Sequence, residues 1–125
     1  QKKAYFQITD ELHYDPDKMP VSRKPKYGCG GAMGPAQFLP ATWLLYKDRV
    51  AAATGQNPPD PWKVEASFMA AALYLADRGA TKKTEAAERG AAKAYISGSS
   101  TCSTYTCNIY SSNIVSLTRV IDSTI

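Results

Sequence analysis

The amino-acid sequence predicts an all-α fold. Several segments repeat apolar residues at helical spacing, proline and glycine separate these segments, and no segment alternates apolar and polar residues convincingly as a strand would. The chain has 125 residues, which is enough for one modest core and too few for two. We therefore expect residues 1–125 to form a single domain, built as a compact orthogonal helical bundle.

The first predicted helix covers residues 2–14, where Tyr5 and Ile8 begin an apolar face, and it cannot extend past Pro16. Residues 15–34 then combine prolines, glycines and charges, which is typical of an irregular loop. Loops of this length usually carry function, so this segment is a candidate place for a site.

The second predicted element begins at Pro35, is interrupted at Pro40, which suits the first turn of a helix, and stops at Gly55. The third begins at Asp60-Pro61, with the aspartate as N-cap and the proline in the first helical position. Its body, residues 62–76, is rich in alanine and almost entirely apolar. Such a helix is expected to be central and buried on most sides.

Two more helices are predicted in the last third of the chain. Gly79 is expected to end the third helix, and residues 82–96 form a fourth, alanine-rich helix. Residues 97–107 are small and polar and predict a loop. The last helix is expected from residue 108 to the end, because its apolar residues share one face.

The composition is that of a globular domain that does not cross a membrane. Apolar residues make up 44% of the chain and charged residues 21%, and no apolar run approaches the roughly 18 residues that span a bilayer. No leader-like segment opens the chain. The net charge of +4 favours anionic polymers, but the densest basic stretch, Arg23, Lys24 and Lys26, is typical of a solvated loop. Without a nucleic-acid-binding motif, we expect no nucleic-acid partner.

Three cysteines leave one without a partner inside the chain. Cys102 and Cys107 enclose only four residues, so a local disulfide is favoured over free thiols if the compartment is oxidising. A metal site is disfavoured, because His13 is the only histidine and lies far away in sequence. Cys29 is then the unpaired cysteine.

Residues 30–43 read GGAMGPAQFLPATW, which closely resembles the GAMGPAQFxPSTW signature of lytic murein transglycosylases, especially the membrane-bound type B branch. The resemblance continues in order through Asp60-Pro61-Trp62, the AAALYL stretch at residues 70–75 and Gly79-Ala80. The AYISG stretch at residues 94–98 falls where relatives carry an AYNAG-like turn. Nearly the whole chain is covered, most tightly from residue 27 to residue 80.

The resemblance implies a lysozyme-like helical fold that acts on the glycan strands of bacterial peptidoglycan. Such enzymes cleave the MurNAc–GlcNAc β-1,4 bond to a 1,6-anhydro product, and they need no metal or cofactor. It also implies an exported protein of the cell envelope or the extracellular space. By this comparison, the chain corresponds to the carboxy-terminal part of the catalytic domain and lacks its first helix or helices.

The signature is also chemically suited to line a sugar groove. Its glycines let the backbone approach a bulky polymer, and Gln37 offers both a donor and an acceptor to an N-acetyl group or hydroxyl. Aromatic rings can stack on sugars, although Trp43 at helical spacing is expected in the core. The predicted substrate-binding residues are Gln37, Gly31, Ala32, Met33, Tyr27, Phe38 and Tyr95.

The resemblance does not identify a catalytic acid. In the family one glutamate protonates the glycosidic oxygen and then accepts a proton, and it lies upstream of the signature in an ExxxG-like or QES context. Nothing before Gly31 matches that context. Glu11 is the sole glutamate upstream of the signature and hence the candidate, although a carboxylate beside Asp10 on a short amphipathic helix is typical of an exposed charge.

Three explanations follow for the missing glutamate. The chain is a fragment or processed product of a longer enzyme, it is a catalytically silent relative that binds glycan or acts as a scaffold, or it uses an atypical acid. We favour the first, in which an amino-terminal segment of the same protein supplies the glutamate and a partner for Cys29. A generic helical interaction domain is the remaining alternative, and it would require several ordered matches to coincide.

Overall fold

The computed structural model describes residues 1–26 and 30–125 of the chain, and these residues form helices but no strand. The α-helices are α1 (Lys2–Glu11), α2 (Pro40–Thr54), α3 (Val64–Asp77), α4 (Glu85–Ser97) and α5 (Tyr105–Thr124), with a short 3-10 helix at Ala80–Lys82. The predicted all-α class is therefore confirmed. The chain divides into two compact units, Gln1–Leu73 and Tyr74–Ile125, which are described separately below.

Helix α1 is shorter than predicted, because it ends at Glu11 rather than at residue 14. His13 takes a positive φ of 56° and its N–H bonds to Asp10 O at 3.0 Å. Tyr14 N–H then bonds to Thr9 O at 2.8 Å, which turns the chain away from the helix axis. The apolar spacing continued past the helix end, so the spacing alone could not locate that end.

Helix α2 has the predicted Pro40 in its first turn and the predicted stop at Gly55, whose φ is 74°. Residues 35–39 of the predicted element are not helical. Met33 N–H bonds to Phe38 O at 2.9 Å and Phe38 N–H bonds to Met33 O at 3.2 Å, which closes a turn. Since the backbone of Phe38 is used in this pairing, the helix starts only at Pro40.

Helix α3 also begins later than predicted, at Val64. Asp60 Oδ1 accepts a bond from Trp62 N–H at 2.8 Å, so the predicted cap exists, but it caps a turn that precedes the helix. The prediction that the helix is buried on most sides is wrong as well. Ala66, Ser67 and Ala70 are buried, whereas Phe68 is 57% exposed.

The core of the first unit lies where α1 and α2 pack together beside the turn that precedes α2. Trp43 is buried as expected, and its ring meets Phe38 edge-on with centroids 6.1 Å apart. Phe38 also meets Tyr46 edge-on at 6.1 Å. The largest fully buried side chains here are Trp43, Ile8, Met33 and Val50. This apolar packing supplies most of what holds the first unit together.

The second unit is built on α4 packed against α5. Helix α4 begins at Glu85, not at the predicted residue 82, because Thr84 Oγ1 accepts a bond from Ala87 N–H at 3.3 Å. Helix α5 begins at Tyr105, inside the stretch predicted as a loop, because Thr104 caps Cys107 N–H in the same way at 3.3 Å.

The predicted disulfide between Cys102 and Cys107 is present, with the two Cα atoms 6.1 Å apart. It joins the end of the loop to the first turn of α5, where Cys107 is buried. None of the helices in the described part of the chain combines the length and apolar character needed to cross a bilayer.

Candidate functional site

Residues 31–38, within the stretch that most closely resembles the family signature, form a closed turn in the first unit. We call these residues the signature turn. The two bonds between Met33 and Phe38 close it. Inside, Gln37 N–H bonds to Gly34 O at 3.1 Å. These bonds pair only part of the backbone of the turn, so its other polar groups depend on neighbouring segments.

Two neighbouring segments fix the signature turn further. From α3, Ser67 Oγ accepts a bond from Ala36 N–H at 2.9 Å, in a buried position. From the preceding loop, Ser22 Oγ accepts from Ala32 N–H at 2.9 Å, and Ser22 O accepts from Gly31 N–H at 2.8 Å. Buried backbone groups of the turn are thus satisfied by serines from different parts of the first unit.

The two glycines of the signature turn, Gly31 and Gly34, have different surroundings. Gly34 has a φ of +62°, and a Cβ atom there would lie 1.8 Å from Pro61 O, so the turn packs directly on the segment before α3. Gly31 has a φ of +89°, but a Cβ atom there would meet nothing within 4 Å. Gly34 therefore serves packing, whereas Gly31 presents bare backbone to open space.

Gln37 is exposed and has a φ of +56°, which is uncommon for a residue other than glycine. The other described non-glycine residues with positive φ, His13 and Lys83, both end helical segments. Gln37 instead projects from a closed turn, with its Nε2 donating to Gly34 O at 2.9 Å. Its second amide hydrogen and its Oε1 atom make no hydrogen bond with a described residue, so both can serve a ligand.

The remaining predicted binding residues of the signature turn are inside the first unit. Met33 is 0% exposed and Phe38 is 5% exposed, and Ala32 is also buried. Their side chains pack in the interior of the first unit and are not accessible to a ligand. Tyr27 and Cys29, the cysteine predicted to be unpaired, lie outside the described residues.

An open depression of about 400 Å³ lies beside Gly31. Helix α1, the preceding loop and the start of α2 all contribute to it. Its lining consists of Gln1, Lys2, Tyr5, Val21, Ser22, Lys24, Gly30, Gly31 and Pro40. Among the predicted site residues, the depression contains Gly31 but not Gln37. Sequence reasoning did not assign Tyr5, Ser22 or Lys24 to a site, because only the folded chain brings their segments together.

The candidate acid Glu11 is held in an ion pair. Lys47 Nζ lies 2.7 Å and 2.8 Å from the two carboxylate oxygens. Both carboxylate oxygens are thereby bound by Lys47 within the first unit, whereas a catalytic acid must present an oxygen to the glycosidic oxygen of the substrate. The geometry therefore favours a structural task for Glu11, which joins α1 to α2.

Tyr95 belongs to the second unit and is described only there. Its ring meets Tyr74 edge-on with centroids 5.4 Å apart, and Tyr74 OH donates to Ala94 O at 3.0 Å. Burial raises the pKa of Tyr95 above its ordinary range, and the neighbouring Tyr110 adds to this. Tyr95 is thus part of a tyrosine cluster that supports the packing of the second unit.

A buried carboxylate that the sequence marked only as a helix cap is Asp60. Its Oδ2 atom accepts a bond from Tyr14 OH at 2.6 Å, and this bond raises the pKa of Tyr14. Beside it, Trp62 Nε1 donates to Pro20 O at 2.8 Å. Together these contacts tie Tyr14, just after α1, and the long loop to residues 60–62, the segment on which Gly34 packs.

We compared the chain with protein-family models, with curated proteins and with solved structures, and none of them matches it. The resemblance to lytic transglycosylases therefore rests on the signature residues themselves. Within residues 1–26 and 30–125, no three His, Cys, Asp or Glu side chains are placed to hold a metal ion.

Proposed function

We propose that this chain binds the glycan strands of peptidoglycan through the signature turn, as part of a lytic transglycosylase domain with a lysozyme-like arrangement of helices. The observation that carries the proposal is Gln37, an exposed amide kept at positive φ between two buried neighbours, Ala36 and Phe38. Backbone strain of this kind costs roughly 1–3 kcal/mol and tends to be retained where a side chain must be aimed at a ligand.

The chemistry of the turn fits an aminosugar. The free Oε1 atom and amide hydrogen of Gln37 can pair with the N–H and C=O of one N-acetyl group. Gly31 leaves room for a sugar ring to approach the backbone, and the Tyr5 ring in the adjacent depression offers an apolar face. Tyr5 OH is already used, since it donates to Pro16 O at 2.6 Å, so this ring is fixed in place.

Cleavage of the MurNAc–GlcNAc bond is the second part of the proposal. Because Lys47 binds both carboxylate oxygens of Glu11, we assign the acid to a glutamate upstream of this chain, as the family pattern has it. The alternative function is that of a catalytically silent peptidoglycan-binding or scaffold module. The paired Glu11 favours this alternative if this chain acts alone.

Binding is tested by sedimenting the protein with insoluble sacculi and comparing Gln37→Gly with the wild type. Glycine relieves the positive φ, so this variant is expected to be about 1 kcal/mol more stable while losing most of its retention. Gln7→Ala, which removes another exposed amide on α1, is the matched control and should be retained like the wild type. Undiminished retention of a folded Gln37→Gly variant would defeat the binding proposal.

Catalysis is tested by digesting sacculi and detecting 1,6-anhydro-muropeptides by mass spectrometry. The chain alone is expected to release none under either function, whereas a longer polypeptide that includes the upstream glutamate is expected to release them. No release from the longer polypeptide would leave the silent binding module. Release from the chain alone that disappears in Glu11→Gln would instead make Glu11 the acid. Release that survives in Glu11→Gln would show that another acid of this chain is used.

A further inference from the structure

The charges around the depression beside Gly31 add a second element to the proposed site. Lys2 and Lys24 both line it and both are exposed, and none of the described residues that line it is acidic. Neither lysine forms an ion pair with a described residue. Lys2 Nζ lies 5.8 Å from the centroid of the Phe6 ring, which places its charge without neutralising it.

The position of Lys24 is set by a close backbone approach. A Cβ atom at Gly30 would lie 2.6 Å from Lys24 N and 2.7 Å from Lys24 Cα, so only glycine allows this segment to run alongside. The neighbouring Ser22 is fixed by its bonds to Gly31 and Ala32. The loop that carries Lys24 is therefore held against the signature turn.

The remaining lining is a mixture of donors and apolar surface. Ser22 Oγ accepts from Ala32 N–H, and its own hydroxyl hydrogen has no acceptor among the described residues, so it is available to a ligand. Val21, Pro40 and the Tyr5 ring supply the apolar part. Two lysines, a hydroxyl donor and apolar side chains, with no acidic residue among the described lining, match a ligand that carries carboxylates beside small apolar groups.

We propose that Lys2 and Lys24 make this depression a carboxylate-binding subsite, so that the chain selects anionic glycan strands over neutral aminosugar polymers. The inference rests on the proposed glycan binding at the signature turn. The carboxylate has two sources in peptidoglycan, the lactyl group of a stripped strand and the stem peptide of an intact one. The two sources share their chemistry, and separate probes distinguish them.

The experiment measures retention of the protein on three immobilised probes at low salt. The probes are chitin, which has no carboxylate, glycan strands stripped of peptide by an amidase, and intact sacculi freed of attached anionic polymers. Retention on the carboxylate-bearing probes is expected to exceed retention on chitin roughly fivefold, and 0.5 M salt, at which the Debye length falls to about 4 Å, should remove the difference. A gain on stripped strands alone identifies the lactyl carboxylate, a gain on intact sacculi alone identifies the stem peptide, and a gain on both shows that the subsite accepts either carboxylate.

The variants compare two pairs of lysines with equal change in net charge. Lys2→Gln with Lys24→Gln should lower retention on the anionic probes to the level of chitin. Lys63→Gln with Lys82→Gln, at exposed positions outside the depression, should retain the wild-type preference. An equal loss in both double variants would show attraction by net charge alone and overturn the subsite.

The two proposals fail in different ways. Equal retention of the wild type on chitin and on both anionic probes would overturn the carboxylate subsite and leave glycan binding standing. Absence of retention on all three probes would overturn both proposals.

Discussion

The signature turn and the disulfide loop, residues 97–107, are two irregular segments that are held in opposite ways. The signature turn is supported from far away in sequence, by Ser67 and by the close approach of Pro61. The loop is held locally, by the Cys102–Cys107 bridge and by short-range bonds such as Ser99 N–H to Ser97 Oγ at 3.1 Å. Locally closed backbone depends little on the rest of its unit, whereas the signature turn depends on the whole first unit being folded.

The largest expected effect is that of Gly34→Ala. The new methyl group would collide with Pro61 O and would also have to tolerate a φ of +62°, so we expect a loss of about 4 kcal/mol in the free energy of unfolding. Urea denaturation followed by tryptophan fluorescence measures this loss, because Trp43 and Trp62, the two tryptophans of the chain, both lie in the first unit.

The control for Gly34→Ala is Gly55→Ala at the end of α2. Gly55 has a φ of +74° and open space around its missing Cβ, so this variant feels the backbone strain without the collision. We expect a loss of about 1 kcal/mol there. Equal losses at both positions would show that the approach to Pro61 is unimportant.

Removal of the disulfide is expected to have the next largest effect. Cys102→Ser with Cys107→Ser should lower the free energy of unfolding of the second unit by about 2 kcal/mol, since the bridge closes only a short loop. Far-UV circular dichroism during urea denaturation measures it. A reducing agent should reproduce the loss in the wild type and change nothing in the double variant. A loss that appears equally in the tryptophan signal would contradict the local character of this loop.

Ser67→Ala is expected to lower the free energy of unfolding by about 1 to 2 kcal/mol, because it removes the buried hydrogen bond from Ala36 N–H to Ser67 Oγ. Tryptophan fluorescence during urea denaturation again measures the loss. Ser116→Ala, at an exposed position on α5, is the control and should change stability by less than about 0.5 kcal/mol. An equally small effect of Ser67→Ala would show that the hydrogen bond from Ala36 to Ser67 does not stabilise the signature turn.

The smallest expected effect concerns the pH dependence of the second unit. A hydrogen bond from Arg89, assisted by the charge of Arg119, lowers the pKa of Glu85. A lowered pKa means that this contribution to stability is present at neutral pH and is lost as the pH falls through the lowered pKa. Glu85→Gln should abolish this part of the acid loss, and high salt should weaken it, since the group is exposed. Identical acid denaturation curves for variant and wild type would contradict it.

The sequence predicted the parts of the fold that local backbone chemistry determines. Pro40 and Gly55 bound α2 as expected, because proline restricts φ and glycine accepts a positive one. The start of α3 could not be predicted, because Asp60 caps a turn with the same bond that would cap a helix. The starts of α4 and α5 could have been predicted, since Thr84 and Thr104 are of a residue type that commonly caps helix N-termini.

The sequence motif located the candidate site along the chain, but it did not show which residues of the motif are exposed and which are buried. Gln37 is exposed, as a binding residue must be, but Met33 and Phe38 lie in the core. An apolar residue in a loop motif is equally suited to a ligand surface or to packing, and its spacing does not distinguish the two. Lys2 and Lys24 joined the site only because helix α1 and the long loop meet in three dimensions.

The approach of Gly34 to Pro61 also sets a rule for sequence divergence. The two segments touch through backbone atoms, so neither can be altered by trimming a side chain. A descendant that replaces Gly34 must reroute the chain at residues 60–62 at the same time. The two motifs should therefore be inherited together or lost together.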